Sequence, residues 1–131
     1  MLAIASTACD DSDESVVEIG VIEHYAVQTQ IEVPSSVTRG VQALVRVTTF
    51  GDGCISLEDT EVHITADGAE ITPYDRRTPP KCTANLNHFS HEAYVSFDSL
   101  GPKTIVVNGH SYAADRSTQL VKKAFTLTVV E

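Results

Sequence analysis

A period-two alternation of apolar and polar residues runs through most of this sequence and strongly limits the folds that it can adopt. The clearest example is VQALVRVTTF, residues 41–50. Such alternation is typical of a strand with one buried face. Turn-forming segments, such as GDG at residues 51–53, interrupt it about every ten residues, and no segment keeps a helical period over several turns. We therefore predict an all-β chain of about seven to eight strands, packed as an antiparallel β-sandwich.

Individual segments predict where strands, edges and loops lie. Residues 27–33 alternate like a strand. The segment AEITPY, residues 69–74, is expected at a sheet edge, because Pro73 has no N–H to donate to a ladder. The prolines of DRRTPPK, residues 75–81, predict an extended loop, and HSYAADRSTQ, residues 110–119, is expected to be a connection. The predicted core faces near the end of the chain are Phe89, His91, Ala93, Val95 and Phe97, then Ile105 and Val107, then Phe125, Leu127 and Val129.

The net charge of -9 is distributed unevenly. A third of the 18 acidic residues lie in the first 23 positions, which contain no Lys or Arg; these are Asp10, Asp11, Asp13, Glu14, Glu18 and Glu23. No basic stripe is present, so nucleic acid is not an expected partner. No segment approaches the roughly 20 apolar residues of a membrane-spanning helix. A chain of 131 residues is long enough for one domain with its own hydrophobic core.

The first fifteen residues, MLAIASTACDDSDES, join a short apolar run to an acidic one. The end of the apolar run, Ala8 followed by Cys9, resembles the end of a bacterial lipoprotein signal, in which a small residue precedes a lipidated cysteine. Ser6 departs from the aliphatic residue usual three positions before that cysteine, and a basic start is missing. The resemblance implies that Cys9 carries a lipid anchor, that residues 1–15 are a signal remnant and acidic tether, and that a domain follows over residues 16–131. The alternative is a frayed terminus with an incidental cysteine.

Two later segments resemble bacterial immunoglobulin-like domains. LGPKTIVVNG, residues 100–109, is similar to a turn and late strand of that family, and KKAFTLTVVE, residues 122–131, is similar to its terminal strand. The resemblance implies an immunoglobulin-like β-sandwich over residues 16–131 and implies little about activity. The buried Trp of antibody-type domains is absent, because the chain contains no Trp.

Cys54 and Cys82 are predicted to form a disulfide. In an oxidising, exported compartment, two cysteines of one domain usually pair, and lipidation of Cys9 accounts for the third cysteine. The alternative is a pair of free thiols in a cytosolic protein. A zinc site is not favoured, because the sequence has no C-x-x-C motif.

A predicted contact surface lies around residues 75–81. The residues proposed to bind a partner are Tyr74, Arg76, Arg77 and Lys81. Tyrosine and arginine are favoured at binding hot spots, and a loop already ordered by a disulfide loses less entropy on association. The alternative is a loop that is merely solvated.

Metal binding is a weaker hypothesis. On a strand, the odd spacing of His88 and His91 places them on opposite faces, so we expect His91 to be a core-edge histidine with a hydrogen bond. A metal-binding protein that uses His88, His91 or His110 remains an alternative. Glu58 and Asp59 follow the GDGC turn, but no Asp-x-Asp-x-Asp calcium loop is present.

No catalytic signature accompanies these residues. The sequence has no G-x-S-x-G motif, and no cysteine lies in a recognisable catalytic pattern. We therefore expect neither an enzyme nor a cofactor. The expected function is an exported, lipid-anchored binding or structural module of the bacterial cell envelope, whose partners are the membrane and an envelope protein or extracellular ligand. A small inhibitor or ligand-binding module that uses the 75–81 loop is an alternative.

Overall fold

The computed structural model of the chain describes residues 15–80 and 82–131. These residues form ten strands and no helix, which confirms the predicted all-β class. The strands are β1 (Val16–Ile19), β2 (Val21–His24), β3 (Ile31–Glu32), β4 (Ser36–Thr38), β5 (Ala43–Gly51), β6 (Ile55–Thr65), β7 (Gly68–Arg77), β8 (Asn87–Val95), β9 (Gly101–Tyr112) and β10 (Thr118–Val130). Within the described residues, therefore, no helix is long and apolar enough to cross a membrane.

The strands form one mixed hydrogen-bonded network. Its main path is β1-β7-β9-β2-β5-β3; β6 pairs with β7, β8 pairs with β5, and β10 pairs with β9 and β4. Three of the pairs are parallel, namely β7 with β9, β2 with β9 and β4 with β10. The prediction of purely antiparallel strands was therefore wrong, and the ten strands exceed the predicted number. Residues 16–24 and 36–38 contribute short strands to the count and two of the parallel pairs, whereas the parallel pair of β7 with β9 joins two long strands.

Residues 16–24 form a V-shaped wedge. β7 and β9 pair over Gly68–Ile71 and Thr104–Val107 and then separate. β1 runs back along β7, from Val16 beside Arg77 to Ile19 beside Tyr74. The chain turns at Gly20, whose N–H donates to Pro73 O and whose carbonyl accepts from the His110 N–H, and β2 then runs forward along β9. The wedge thus supplies the backbone partners that β7 and β9 lose when they separate.

The core forms where the predicted alternation is strongest. Alternate residues of β5, β8, β9 and β10 pack with residues of β2 and β7 in one cluster: Ile22, Ala43, Val45, Val47, Ala69, Ile71, Ala93, Val95, Phe97, Ile105, Val107, Leu127 and Val129. The faces predicted for residues 91–97, 105–107 and 127–129 are confirmed, since their alternate side chains are buried. Burial of this apolar surface is the main stabilising contribution to the fold.

The predicted edge and loop at residues 69–81 were wrong. β7 is an interior strand, with β6 on one side and β9 and β1 on the other. Pro73 is tolerated there because its N and O face the wedge, in the gap between the β9 pairing, which ends at Ile71, and the β1 pairing, which reaches Tyr74; its carbonyl accepts from the Gly20 N–H. Asp75–Arg77 belong to the strand, so only residues 78–80 of the predicted loop lie outside it among the described residues.

Two other boundaries also differ from prediction. Half of the expected connection at residues 110–119 is strand, because β9 continues to Tyr112 and β10 begins at Thr118. Of the strand expected at residues 27–33, only Ile31–Glu32 pairs with a neighbour. The ends of the described chain lie at opposite ends of the sheet: β1 starts beside Arg77, the last residue of β7, and β10 ends near Gly101, the first residue of β9.

Candidate functional site

A cleft lies at the carboxyl ends of β7 and β9 and is lined by both arms of the wedge. Its cavity volume is about 550 Å³, within the range of small-molecule sites. The wedge, the end of β5, the end of β7, the segment after Cys82 and the β9–β10 turn all contribute to it. The side chains that matter below are Glu18, His24, Tyr25, Phe50, Asp52, Asp75, Arg77, Asn85, Tyr112 and Arg116.

Three rings at one end of the cleft form what we call the aromatic platform, composed of His24, Tyr25 and Tyr112. The His24 ring stacks on Tyr25 at 4.8 Å between centroids and on Tyr112 at 5.1 Å, with interplanar angles of 21° and 30°. The two tyrosine rings are 6.2 Å apart at 32°. The Phe50 and His24 rings pack edge to face, with their centroids 6.2 Å apart. His24 therefore stacks against both tyrosines, and Tyr25, which is 62% exposed, keeps surface open to solvent.

His24 is held in its neutral form. Burial lowers the pKa of its imidazole below the ordinary value of 6.5. Its Nδ1 also accepts a hydrogen bond of 3.1 Å from the Ala26 N–H, which requires that nitrogen to be unprotonated. At neutral pH the His24 ring is therefore uncharged, and its face is electron-rich.

The other end of the cleft is charged. Arg77 lies between two carboxylates, with Nε 3.4 Å from Glu18 and Nη1 3.5 Å from Asp52. Asp52 also accepts a 2.9 Å hydrogen bond from the Cys54 N–H, which fixes the turn after β5. Arg116 comes from the β9–β10 turn and has a left-handed backbone, with φ of 72°. Hydrogen-bond donors and acceptors therefore both line the cleft.

A disulfide holds one wall of the cleft in place. Cys54 and Cys82 are bonded, as predicted, with their Cα atoms 4.8 Å apart. The Gly53 N–H donates to Thr83 O at 3.0 Å, and the Thr78 N–H donates to Cys54 O at 2.9 Å. Side-chain hydrogen bonds then link Thr83 to Asn85 and Asn85 to Asn87. The wall is thus tied to the β5–β6 turn by covalent and hydrogen bonds.

A buried polar network lies behind the cleft. His91 Nε2 is 2.9 Å from Asp75 Oδ1, and His91 Nδ1 is 2.8 Å from Thr60 Oγ1. His91 and Asp75 are 1% and 2% exposed, so His91 is the hydrogen-bonded core histidine that the sequence predicts. A hydroxyl, an imidazole and a carboxylate are in a row, but Asp75 alone lines the cleft. The network therefore connects β6, β8 and β7 through the interior.

The predicted partner-binding residues are separated by the structure. The Tyr74 hydroxyl donates to Glu61, and Arg76 binds Glu58 at 2.9 Å and Ser15 Oγ at 2.6 Å. Because residues alternate along β7, Arg77 lies with Asp75 on the other face and is the member of the set that lines the cleft. Lys81, like the lipidation candidate Cys9, lies outside the described residues.

The histidines of the metal hypothesis lie apart. His88 packs edge-to-face on Phe50, His91 lies in the core network, and His110 Nδ1 is 2.8 Å from Ile19 O. Across residues 15–80 and 82–131, the one convergence of three potential ligands is Asp52 with Cys54 and Cys82. Both of those sulfurs are engaged in the disulfide and offer no thiolate.

Sequence reasoning missed the aromatic platform and Arg116. The sequence gives only a weak indication of the platform. The segments EHYA, residues 23–26, and HSYA, residues 110–113, each place His close to Tyr where the period-two alternation ends. Nothing local indicates that these segments meet, because β2 and β9 are distant in sequence and pair in parallel.

Comparisons with protein-family models, with curated proteins and with solved structures found no match for this chain. Its function must therefore be inferred from the residues of the cleft and their chemistry.

Proposed function

We propose that this protein is an exported, non-enzymatic binding module of the bacterial cell envelope whose ligand occupies the cleft. Residues 1–15 act as the tether, with Cys9 carrying the lipid anchor, and residues 16–131 form the binding domain. The Cys54–Cys82 disulfide supports an oxidising compartment, because such bonds persist mainly outside the cytosol.

For the domain, we propose an immunoglobulin-like sandwich. The packing of β5 and β8 residues against residues of β7, β9 and β10 in one core supports this arrangement. The hydrogen bond between Thr60 of β6 and His91 of β8, which are not ladder neighbours, supports it further.

The observation that carries the binding function is the construction of the cleft. Its aromatic end is exposed, its charged end contains both signs of charge, and its wall is fixed by a disulfide. Ligand sites in proteins typically combine apolar surface with a few oriented polar groups and are formed before the ligand arrives. Rigid walls reduce the entropy lost on binding.

The binding function is tested by NMR on the ¹⁵N-labelled full chain with its disulfide intact. Four probes are added singly at about 10 mM, a concentration that detects millimolar affinity: methyl β-glucoside, phenethylamine, phenylpropionate and indole. We expect at least one probe to shift the amide signals of Gly20, Gly51 and Ala84 in the cleft wall, with little change at Gly101, at the other end of β9. If no probe shifts the cleft amides selectively, the proposed function is wrong.

A further inference from the structure

We propose that the cleft binds a carbohydrate, with a pyranose ring stacked on the aromatic platform of His24, Tyr25 and Tyr112. This inference rests on the proposed function and specifies the ligand class of the same site. It follows from three features of the cleft: the orientation of the rings, the mixture of donors and acceptors, and the backbone of Arg116.

The orientation of the rings suits a flat ligand with an apolar face. Tyr25 and Tyr112 each stack against His24, at 4.8 and 5.1 Å between centroids, and these contacts hold the exposed Tyr25 ring in a fixed orientation at the cleft. Aromatic faces carry partial negative charge. A pyranose ring presents several C–H bonds on one face, and their partial positive charge complements such a surface. The exposure of Tyr25 leaves this contact open to a ring arriving from solvent.

The polar groups suit hydroxyls. Arg116 offers N–H donors, and Arg77, Glu18 and Asp52, which pair with one another at 3.4 to 3.5 Å, keep further N–H groups and carboxylate lone pairs for a ligand. A sugar hydroxyl is both donor and acceptor, so adjacent hydroxyls can satisfy this mixed set. Three carboxylates and two guanidinium groups line the cleft, when Asp75 is included, so its charges nearly cancel. A neutral polyol fits such a site better than a strongly charged ligand.

The net charge of the chain favours a sugar over a nucleotide as the ligand of the cleft. A nucleobase would also stack on the platform, but its phosphates would approach a protein of net charge -9. Tight phosphate binding needs clustered cations, and one of the two arginines in the cleft is already paired with Glu18 and Asp52.

Arg116 supplies an independent reason to assign a ligand. A non-glycine residue with φ of 72° is uncommon and unfavourable. The turn uses the backbone of this residue, because the Arg116 N–H donates to Ala113 O at 2.8 Å. A glycine at position 116 would make the same hydrogen bond without backbone strain. Among residues 15–80 and 82–131 its guanidinium has no hydrogen-bond partner. This exposed guanidinium also lines the cleft and is therefore available to a ligand.

The test is titration of the full chain, followed by NMR, with two probes: the tetrasaccharides of β-1,4-linked glucose and of β-1,4-linked N-acetylglucosamine. Sorbitol, which has hydroxyls but no ring, is the ligand control. We expect at least one tetrasaccharide to bind in the cleft, and sorbitol at the same hydroxyl concentration to have no effect. If neither tetrasaccharide binds, or if sorbitol binds equally well, the inference is wrong.

Substitutions at Tyr25 and Tyr94 distinguish the loss of a stacking contact from a general loss of stability. Tyr25→Ala is expected to weaken tetrasaccharide binding about tenfold, as loss of an aromatic contact predicts, and Tyr25→Phe should retain most of it. Tyr94→Ala is the matched control, because Tyr94 is also exposed but lies outside the cleft. Unchanged binding by Tyr25→Ala, or an equal loss in Tyr94→Ala, would contradict the stacking contact.

Arg116→Gly provides a readout that a purely structural role would not give. Because glycine tolerates the left-handed backbone, this variant should melt at a higher temperature than the wild type. It should nevertheless bind the tetrasaccharide more weakly. Unchanged or stronger binding would overturn the role of Arg116. If the tetrasaccharides fail while phenethylamine, phenylpropionate or indole shifts the cleft amides, the carbohydrate inference fails and the binding function remains.

Discussion

Gly20 illustrates how one residue permits the wedge that shapes the cleft. A Cβ at this position would lie 2.6 Å from Thr49 Cγ2 and 2.8 Å from Asp75 Oδ2. Real Cβ atoms do not approach other atoms so closely, so a larger residue must displace β5 or β7. The close packing of protein interiors makes such displacement costly. The absence of a side chain therefore lets the chain turn between two separating strands.

We expect Gly20→Ala to lower the free energy of unfolding by about 1–3 kcal/mol, the usual cost of overpacking. Thr49→Ser removes the nearest methyl group, so the double variant should recover part of the loss. Urea unfolding of the wild type, both single variants and the double variant measures this coupling. Strict additivity of the two substitutions would show that the Gly20–Thr49 contact is not the cause.

The buried His91–Asp75 pair is expected to respond asymmetrically to substitution. His91→Leu leaves the Asp75 carboxylate buried without its partner, so we expect a loss of about 3–5 kcal/mol. His91→Leu/Asp75→Leu removes both polar groups and should cost less than His91→Leu alone. Thr60→Val is the milder variant, with an expected loss of about 1 kcal/mol for one hydrogen bond.

Urea denaturation at neutral pH measures all three variants. If the double variant is less stable than His91→Leu, the unpaired carboxylate is not the main cost. Thr60→Val remains informative if His91→Leu does not fold, because a loss near zero would contradict the Thr60–His91 hydrogen bond.

His24 is predicted to make stability fall in mild acid. Burial lowers its pKa in the folded chain, so the unfolded chain binds more protons as the pH drops below 6.5. Its stabilising contribution is therefore complete above pH 6.5 and is lost as the pH falls through the folded pKa. The groups stacked on His24 are Tyr25 and Tyr112, and the adjacent Glu23 is paired with Lys123 at 2.6 Å.

The measurement is the urea midpoint at about pH 7 and about pH 5 for the wild type and His24→Phe. The Phe variant keeps an aromatic ring but cannot titrate, so its midpoint should change less between the two pH values. Other histidines and the carboxylates titrate in both proteins and cancel in the comparison. Equal changes would show that His24 is not responsible.

At the scale of elements, the disulfide stabilises both the fold and the cleft wall. It closes a loop with a sequence separation of 28 residues, for which the chain-entropy relation gives about 3.5 kcal/mol. We expect Cys54→Ala/Cys82→Ala to lose about that much stability by urea unfolding and to weaken binding of any cleft ligand. Cys54→Ala/Cys82→Ala should also become insensitive to dithiothreitol, unlike the wild type. A loss below about 1 kcal/mol would indicate that other contacts hold the wall.

The strands that sequence reasoning located well are those with strict alternation. In β5, β8, β9 and β10 the buried and exposed residues follow the pattern, because each strand has one face on the core. The position of β7 was predicted wrongly because Pro73 indicates an edge strand, yet the gap between the β9 and β1 pairings accommodates the proline inside the sheet. The alternation within one segment does not indicate which distant strand pairs with it.

The cleft was harder to predict than the strands for the same reason. Its wall depended on the disulfide, which was predicted correctly from the cysteine count and the expected oxidising compartment. The platform required β2 and β9 to pair in parallel, and parallel pairing joins residues that are remote in the chain. The partner-binding set at Tyr74, Arg76, Arg77 and Lys81 was drawn from one continuous segment, whereas the strand sends Arg77 to the face opposite Arg76.

At the scale of the whole molecule, the proposed anchor predicts location. In a bacterial host, the full chain preceded by its native upstream reading frame should fractionate with the membrane and incorporate radiolabelled palmitate. Cys9→Ala should abolish labelling and release the protein from the membrane fraction, because the proposal places the lipid anchor on Cys9. Cys54→Ala/Cys82→Ala is the matched control and should still be labelled. Labelling that persists in Cys9→Ala would contradict the proposal.

The positions of the two chain ends also determine how the domain responds to mechanical force. The described chain starts beside Arg77, at the carboxyl end of β7, and finishes near Gly101, at the opposite end of the sheet. Tension between these ends acts along the strands and tends to slide β1 against β7 and β10 against β9. Hydrogen bonds loaded in this shear direction must break together, whereas bonds pulled sideways break one by one. A domain held at one end by a membrane, with a load at the other, would therefore resist stretching.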